Sequence, residues 1–139
     1  MQLCKETATV YNVRVNPASR MEAYVPTVLR GVSWRGETVS AVADSGLKAA
    51  NRFVLRIPED VDAGGKAYAE PKRYREAGDV SGLWTLQKGD VIVLGEVSEA
   101  DLTPAQLRAQ YGADRVLTVL GVTDNRRVPN GRHWKVTGA

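Results

Sequence analysis

Residues 51–57 read N-R-F-V-L-R-I. Phe53, Leu55 and Ile57 fall on one side of an extended chain, and Arg52, Val54 and Arg56 on the other, so the stretch predicts a half-buried β-strand that Pro58 ends. Upstream, residues 7–15 (TATVYNVRV) are β-rich, with Val10, Tyr11, Val13 and Val15 marking an early strand before a turn at Asn16-Pro17-Ala18-Ser19. Residues 22–34 (EAYVPTVLRGVSW) are extended but interrupted by Pro26 and Gly31, which predicts an edge strand or a bulged one. Arg35-Gly36-Glu37 reads as a hairpin turn into residues 38–42 (TVSAV), and Asp44-Ser45-Gly46 as a further break.

Downstream of residue 82 the same grammar resumes. Residues 83–86 (LWTL) form a short strand, Lys88-Gly89-Asp90 a turn, and residues 91–94 (VIVL) a compact apolar strand ended by Gly95. Thr103-Pro104 is a helix start, with Thr as N-cap and Pro at the first helical position. That helix is predicted to run to Tyr111 and stop at Gly112, with Leu107 and Tyr111 one turn apart. A strand over residues 115–122, a polar loop from Asp124-Asn125 to Asn130-Gly131, and a last strand over residues 133–136 complete the chain.

Residues 59–82 break the pattern. They carry Gly64-Gly65, Pro71 and the basic cluster Lys72, Arg73 and Arg75, with no sustained period of 2 or 3.6. The segment exceeds the usual ceiling of roughly 12–15 residues for a structureless loop in a compact domain, which marks it as functional, ordered by a partner, or disordered. The predicted class is all-β: a small barrel or sandwich with one short helix and one long inserted loop, as a single domain over residues 1–139.

Composition fits that size. The 139 residues suit one core, and 43% hydrophobic with 25% charged residues is globular rather than disordered. A net charge of +3 permits contact with nucleic acid or an acidic partner without demanding either. The N-terminus lacks the charged and apolar regions of a signal peptide, and no apolar run is long enough to span a bilayer, so a soluble, intracellular protein is expected.

Residues for catalysis are sparse. Cys4 and His133 are the single cysteine and histidine, neither lies in a ligand cluster, and no zinc site, Walker loop or nucleophile elbow is present. A Cys4–His133 pair would have to meet in the fold, and ordinary surface roles are favoured for both. Asp60 and Asp62 lack EF-hand spacing and read as a solvated acidic turn. No enzyme activity, metal or cofactor is therefore expected. Trp34, Trp84 and Trp134 each sit in or beside a strand, where core packing is favoured over an interface role. The candidate interface anchors are Trp34, Trp134, Arg126 and Arg127, since Trp and Arg are enriched at interfaces. Candidate inter-subunit or channel residues in the loop are Gly64, Gly65, Lys66, Tyr68, Lys72, Arg73, Tyr74 and Arg75.

The order of motifs carries a resemblance. An opening TVYNVRVNPASRMEAYVPTVLRGVSW, then NRFVLRIP, then LWTLQKGDVIVLGEV, then VLTVLGVTDNRRVPNGRHWKVTG covers nearly the whole chain. It resembles head–tail connector (minor capsid) proteins of phages and prophages of Gram-positive bacteria, and is similar to the head-completion, or stopper, family of long-tailed phages. The resemblance implies a β-barrel subunit of a six-fold ring in the virion neck, made in the host cytoplasm. The portal and its adaptor would lie above it, the tail-completion or tail-tube protein below, and packaged double-stranded DNA within its channel. Such a ring retains DNA and docks the tail. The tail-completion protein of the adjacent ring, and a β-barrel binding module outside any virion, are the alternative readings.

Overall fold

The computed structural model describes residues 6–15, 20, 22–43, 46–97, 102–112 and 115–139, with the backbone alone at 22, 37–43 and 46–51. Cys4, the predicted turn at Asn16, Pro17, Ala18 and Ser19, and Asp44 and Ser45 of the predicted break lie outside the described residues.

The strands are β1 (Glu6–Val15), β2 (Glu22–Ala43), β3 (Gly46–Pro58), β4 (Ala67–Tyr68), β5 (Leu83–Trp84), β6 (Val91–Leu94), β7 (Val116–Asn125) and β8 (His133–Gly138). Two helices, α1 (Pro71–Glu76) and α2 (Pro104–Tyr111), interrupt them. Six strands close an antiparallel barrel in the order β1-β2-β3-β8-β7-β6, and β4 and β5 form a small parallel pair outside it.

The alternation read in residues 51–57 is realised in β3. Phe53, Leu55 and Ile57 are buried in the barrel interior, facing Trp134 and Val136 of β8, Leu117 and Val119 of β7, Ile92 of β6 and Val10 of β1. The run V-I-V-L does not alternate because β6 is buried on both faces. Ile92 points inward, while Val91 and Val93 join Tyr11 and Val116 in an outer cluster capped by Leu107 of α2. Full burial of Leu107 is worth about 2 kcal/mol, enough to hold one short helix on the wall. Thr103 caps α2 as expected: its hydroxyl accepts from the Gln106 amide while the Gln106 side chain accepts from the Thr103 amide.

Two expectations are corrected. Arg35-Gly36-Glu37 is not a turn, because β2 runs straight through it, pairing Gly36 with Phe53 and Glu37 with Arg52. Gly36 gives room instead: a Cβ there would stand 3.1 Å from the Phe53 ring, which would have to shift by a few tenths of an ångström. The insert, expected to be a loop, also holds a second helix, α1, with Pro71 in its first turn. By contrast, the expected bulge is present. Glu6 pairs with Val32 and Thr7 with Arg30, so Gly31 is skipped at φ +93°.

Past that bulge β2 changes neighbour. Its residues up to Val32 pair with β1, and those from Ser33 pair with β3. β3 in turn meets β8 only from Phe53 onward. Residues 37–43 and 46–52 therefore continue beyond the barrel as a two-stranded ribbon.

Candidate functional site

The insert over residues 59–82 is folded onto the barrel. It begins along the edge of β2, where the Arg30 amide donates to Asp62 O at 2.9 Å, and the Lys66 ammonium donates to Pro26 O at 2.9 Å and Thr27 Oγ1 at 3.0 Å. Burial lowers the Lys66 pKa. The insert then crosses the barrel mouth, where Tyr68 packs against Trp134 and Trp84 with ring centroids 4.5 and 5.1 Å away. Ala69, Tyr74 and Val80 make a small core of their own against Val25, Ala77 and Leu83. Burial, followed by the charge of Asp90, pushes the Tyr74 hydroxyl up to about 12.

Arg126 closes this mouth from outside. Its guanidinium lies 4.8 Å from the Trp134 ring and 5.1 Å from that of Tyr68. It forks onto Asp124 through Nε at 2.9 Å and Nη2 at 2.7 Å, and reaches Glu70 at 3.2 Å. Those Arg126 hydrogen bonds hold the Asp124 carboxyl down to about 2. A planar fork that also stacks is what arginine supplies and lysine does not.

A second constellation lies where β1 outruns β6. There Asp90, fully buried, fills the gap in the wall with its carboxylate. It accepts from Asn12 Nδ2 at 2.7 Å, the Val13 amide at 2.9 Å and the Gln87 amide at 3.0 Å. Burial pushes its pKa up to about 6 against the opposing pull of these donors. Outside this network lies a cleft of about 400 Å³ lined by Arg14, Arg75, Lys88, Gln87 and Tyr24. Arg14 donates to the Ala77 carbonyl and Arg75 reaches Gln87 Oε1 at 3.5 Å, so the insert and the K-G-D turn share one basic rim.

The predicted residues thus separate. Tyr68, Tyr74 and Lys66 are committed to contacts within the chain, while Gly64, Gly65, Lys72, Arg73 and Arg75 are exposed. Trp134 is a core residue, the role favoured for it over that of an interface anchor: it is 2% exposed, with Tyr68 and Arg126 on its ring. Trp34 is partly buried against Phe53, and Arg127 is exposed. Asp62 Oδ1 accepts from the Gly64 amide, and among the described residues no group of three or more His, Cys, Asp or Glu could hold a metal ion. His133 is engaged by Gly131 O at 2.6 Å and Asn125 Nδ2 at 3.3 Å. No helix among the described residues is long and apolar enough to cross a membrane.

Sequence reading missed Asn12, Arg14, Gln87 and Lys88, because their convergence depends on strands that meet only in the fold. The β2–β3 ribbon also went unread, because Arg35-Gly36-Glu37 looked like a turn within it. Residues 3–139 match a family of unknown function, DUF6751, and the chain belongs to that family. No curated protein and no solved structure matches it.

Proposed function

We propose that this chain is a non-enzymatic structural subunit of the neck of a long-tailed bacteriophage, working in a ring at the head–tail junction that helps retain packaged DNA and docks the tail. The observation that carries the reading is the ribbon. A closed barrel has no edges along its paired strands and needs no extension for its own stability. Residues 37–43 and 46–52 nevertheless run past it, paired only with each other among the described residues. An isolated two-stranded hairpin is marginal in water, so its natural use is contact with another chain. A rigid hub with such an arm suits a ring between a portal–adaptor assembly and a tail. The order of sequence motifs supplies the phage setting. The basic rim of Arg14, Arg75 and Lys88 favours one second reading, a barrel module that binds a polyanion outside any particle.

The test is made in a phage or prophage that encodes the chain, with residues 39–50 replaced by a two-residue turn. Separate full heads and tails in electron micrographs, with the truncated protein still folded by circular dichroism, are expected. Infectious particles at normal yield would refute the proposal. Removing the insert instead would be a poor test, because Tyr68 and Tyr74 would leave the core.

A further inference from the structure

The barrel wall leaves one strand edge that nothing in the described chain covers. β6 pairs with β7 only at residues 116–118, and the Val119 backbone is taken by Gly89 and Asp90. Beyond that point β7 has a single strand neighbour, β8, through Asn125. The other open stretch of wall, along β2, is covered by the insert through Asp62 and Lys66. Beside the bare β7 edge stand Leu120, 56% exposed, and Val122, 36% exposed. The stretch opens on a bulge, since the pairing with β8 steps from Val119–Gly138 to Gly121–Thr137 and leaves Leu120 over, and it ends at Asp124, held by Arg126; no described segment covers the residues between.

The chain also carries an unpaired donor. Residues 46–52 of β3 pair with β2 on one side and with no described strand on the other. Donor and acceptor cannot meet within one molecule. The register runs Phe53 opposite Gly138 and Gly138 opposite Val119, then Pro58 opposite His133 and His133 opposite Asn125. The ribbon leaves the barrel past Phe53, whereas the bare edge runs from Leu120 toward the Pro58 end. The two point in opposite directions along the same strands.

We propose that residues 46–52 of one copy add as a strand to the β7 edge at residues 120–124 of a second copy, head to tail. The overlap is on the order of 15 Å of extended chain, with main-chain hydrogen bonds giving affinity and Leu120 and Val122 the apolar contact. A donor at one end and an acceptor toward the other make a heterologous interface, which closes into a ring when the rotation permits. The inference rests on the ring reading above for its biological setting, but its test needs only the purified full chain.

Two variants remove one partner each. Leu120→Lys with Val122→Lys guards the acceptor edge at exposed positions. Replacing residues 39–50 by a two-residue turn removes the donor, and Ala49→Pro is the milder donor variant should the truncation misfold. Sedimentation velocity over a concentration series should show wild-type oligomers, and each variant should lose them and stay folded by circular dichroism. An equal mixture of donor-deficient and acceptor-deficient chains should form dimers and nothing larger, because only one intact junction is available. Wild type that stays monomeric up to its solubility limit overturns the proposal, as do variants that still form oligomers of wild-type size. If the junction behaves as expected but particles made with the acceptor variant are normal, the neck reading fails while the interface stands.

Discussion

Replacing Asp90 with alanine tests how the barrel wall is sealed. The carboxylate receives the amides of Val13 and Gln87 and the side chain of Asn12, at 2.7–3.0 Å. Asn12 Nδ2 keeps a second acceptor, Thr85 O at 2.6 Å, but the two amides lose theirs. Each orphaned, poorly hydrated amide costs about 1–3 kcal/mol. Against this, alanine removes the burial penalty that lifts the carboxyl from 3.8 to about 6, which is worth up to about 3 kcal/mol at pH 7. The net expectation is a loss of about 2 kcal/mol in urea unfolding at pH 7, a large share of a typical domain's stability. The pH dependence separates the two contributions. Between about 4 and 6 the folded chain binds a proton on Asp90 that the unfolded chain does not, so wild type gains stability as pH falls through 6. Asp124 does not interfere, because its stabilisation is present above 3.8 and is lost only as pH falls toward about 2. The difference between wild type and Asp90→Ala should therefore widen by about 1 kcal/mol from pH 7 to pH 5. Asp90→Asn should flatten the same window. A variant within about 0.5 kcal/mol of wild type at both pH values would refute the claim that Asp90 ties the turn to β1.

Substitutions at three further positions probe other joints of the molecule. Gly138→Ala would place a Cβ 2.3 Å from Thr118 O and 2.8 Å from a Leu117 methyl, so a loss of about 3 kcal/mol in chemical denaturation is expected. Arg126→Ala should lower stability by about 1–2 kcal/mol and change the tryptophan emission, and Arg126→Lys should recover little of it because the fork and stacking are lost. Thr103→Ala opens the capping box of α2 and should cost about 1 kcal/mol, read as a lowered thermal midpoint.

Much of the barrel was legible because it obeys simple periods. Residues 51–57 alternate and do so in the fold, and α2 begins and ends where Thr103-Pro104 and Gly112 place it. What escaped reading did so for physical reasons. Pro26, Gly31 and Gly36 read as punctuation, yet each has a purpose inside one strand. Pro26 offers its carbonyl to Lys66, Gly31 forms the bulge, and Gly36 leaves room for Phe53. The insert looked aperiodic because Ala63, Tyr68, Ala69, Tyr74 and Val80 enter different hydrophobic clusters at irregular intervals rather than lining one face. Asp90 read as an ordinary turn residue because its partner Asn12 lies 78 positions away. The aromatic mouth was half visible: the tryptophans pointed to a core, but nothing local paired Arg126 with Tyr68.

The continuity of β2 has a mechanical consequence. A pull on the ribbon tip along its length would enter one unbroken strand that is laced to β3 first and to β1 farther on. Such a pull draws β2 and β3 together, so the load falls on the β2–β1 cross-links, which stand at right angles to the strand and are sheared together rather than peeled one by one. Tension applied outside the barrel would thus pass along β2 into its pairing with β1 and to the segment fastened at Arg30 and Pro26.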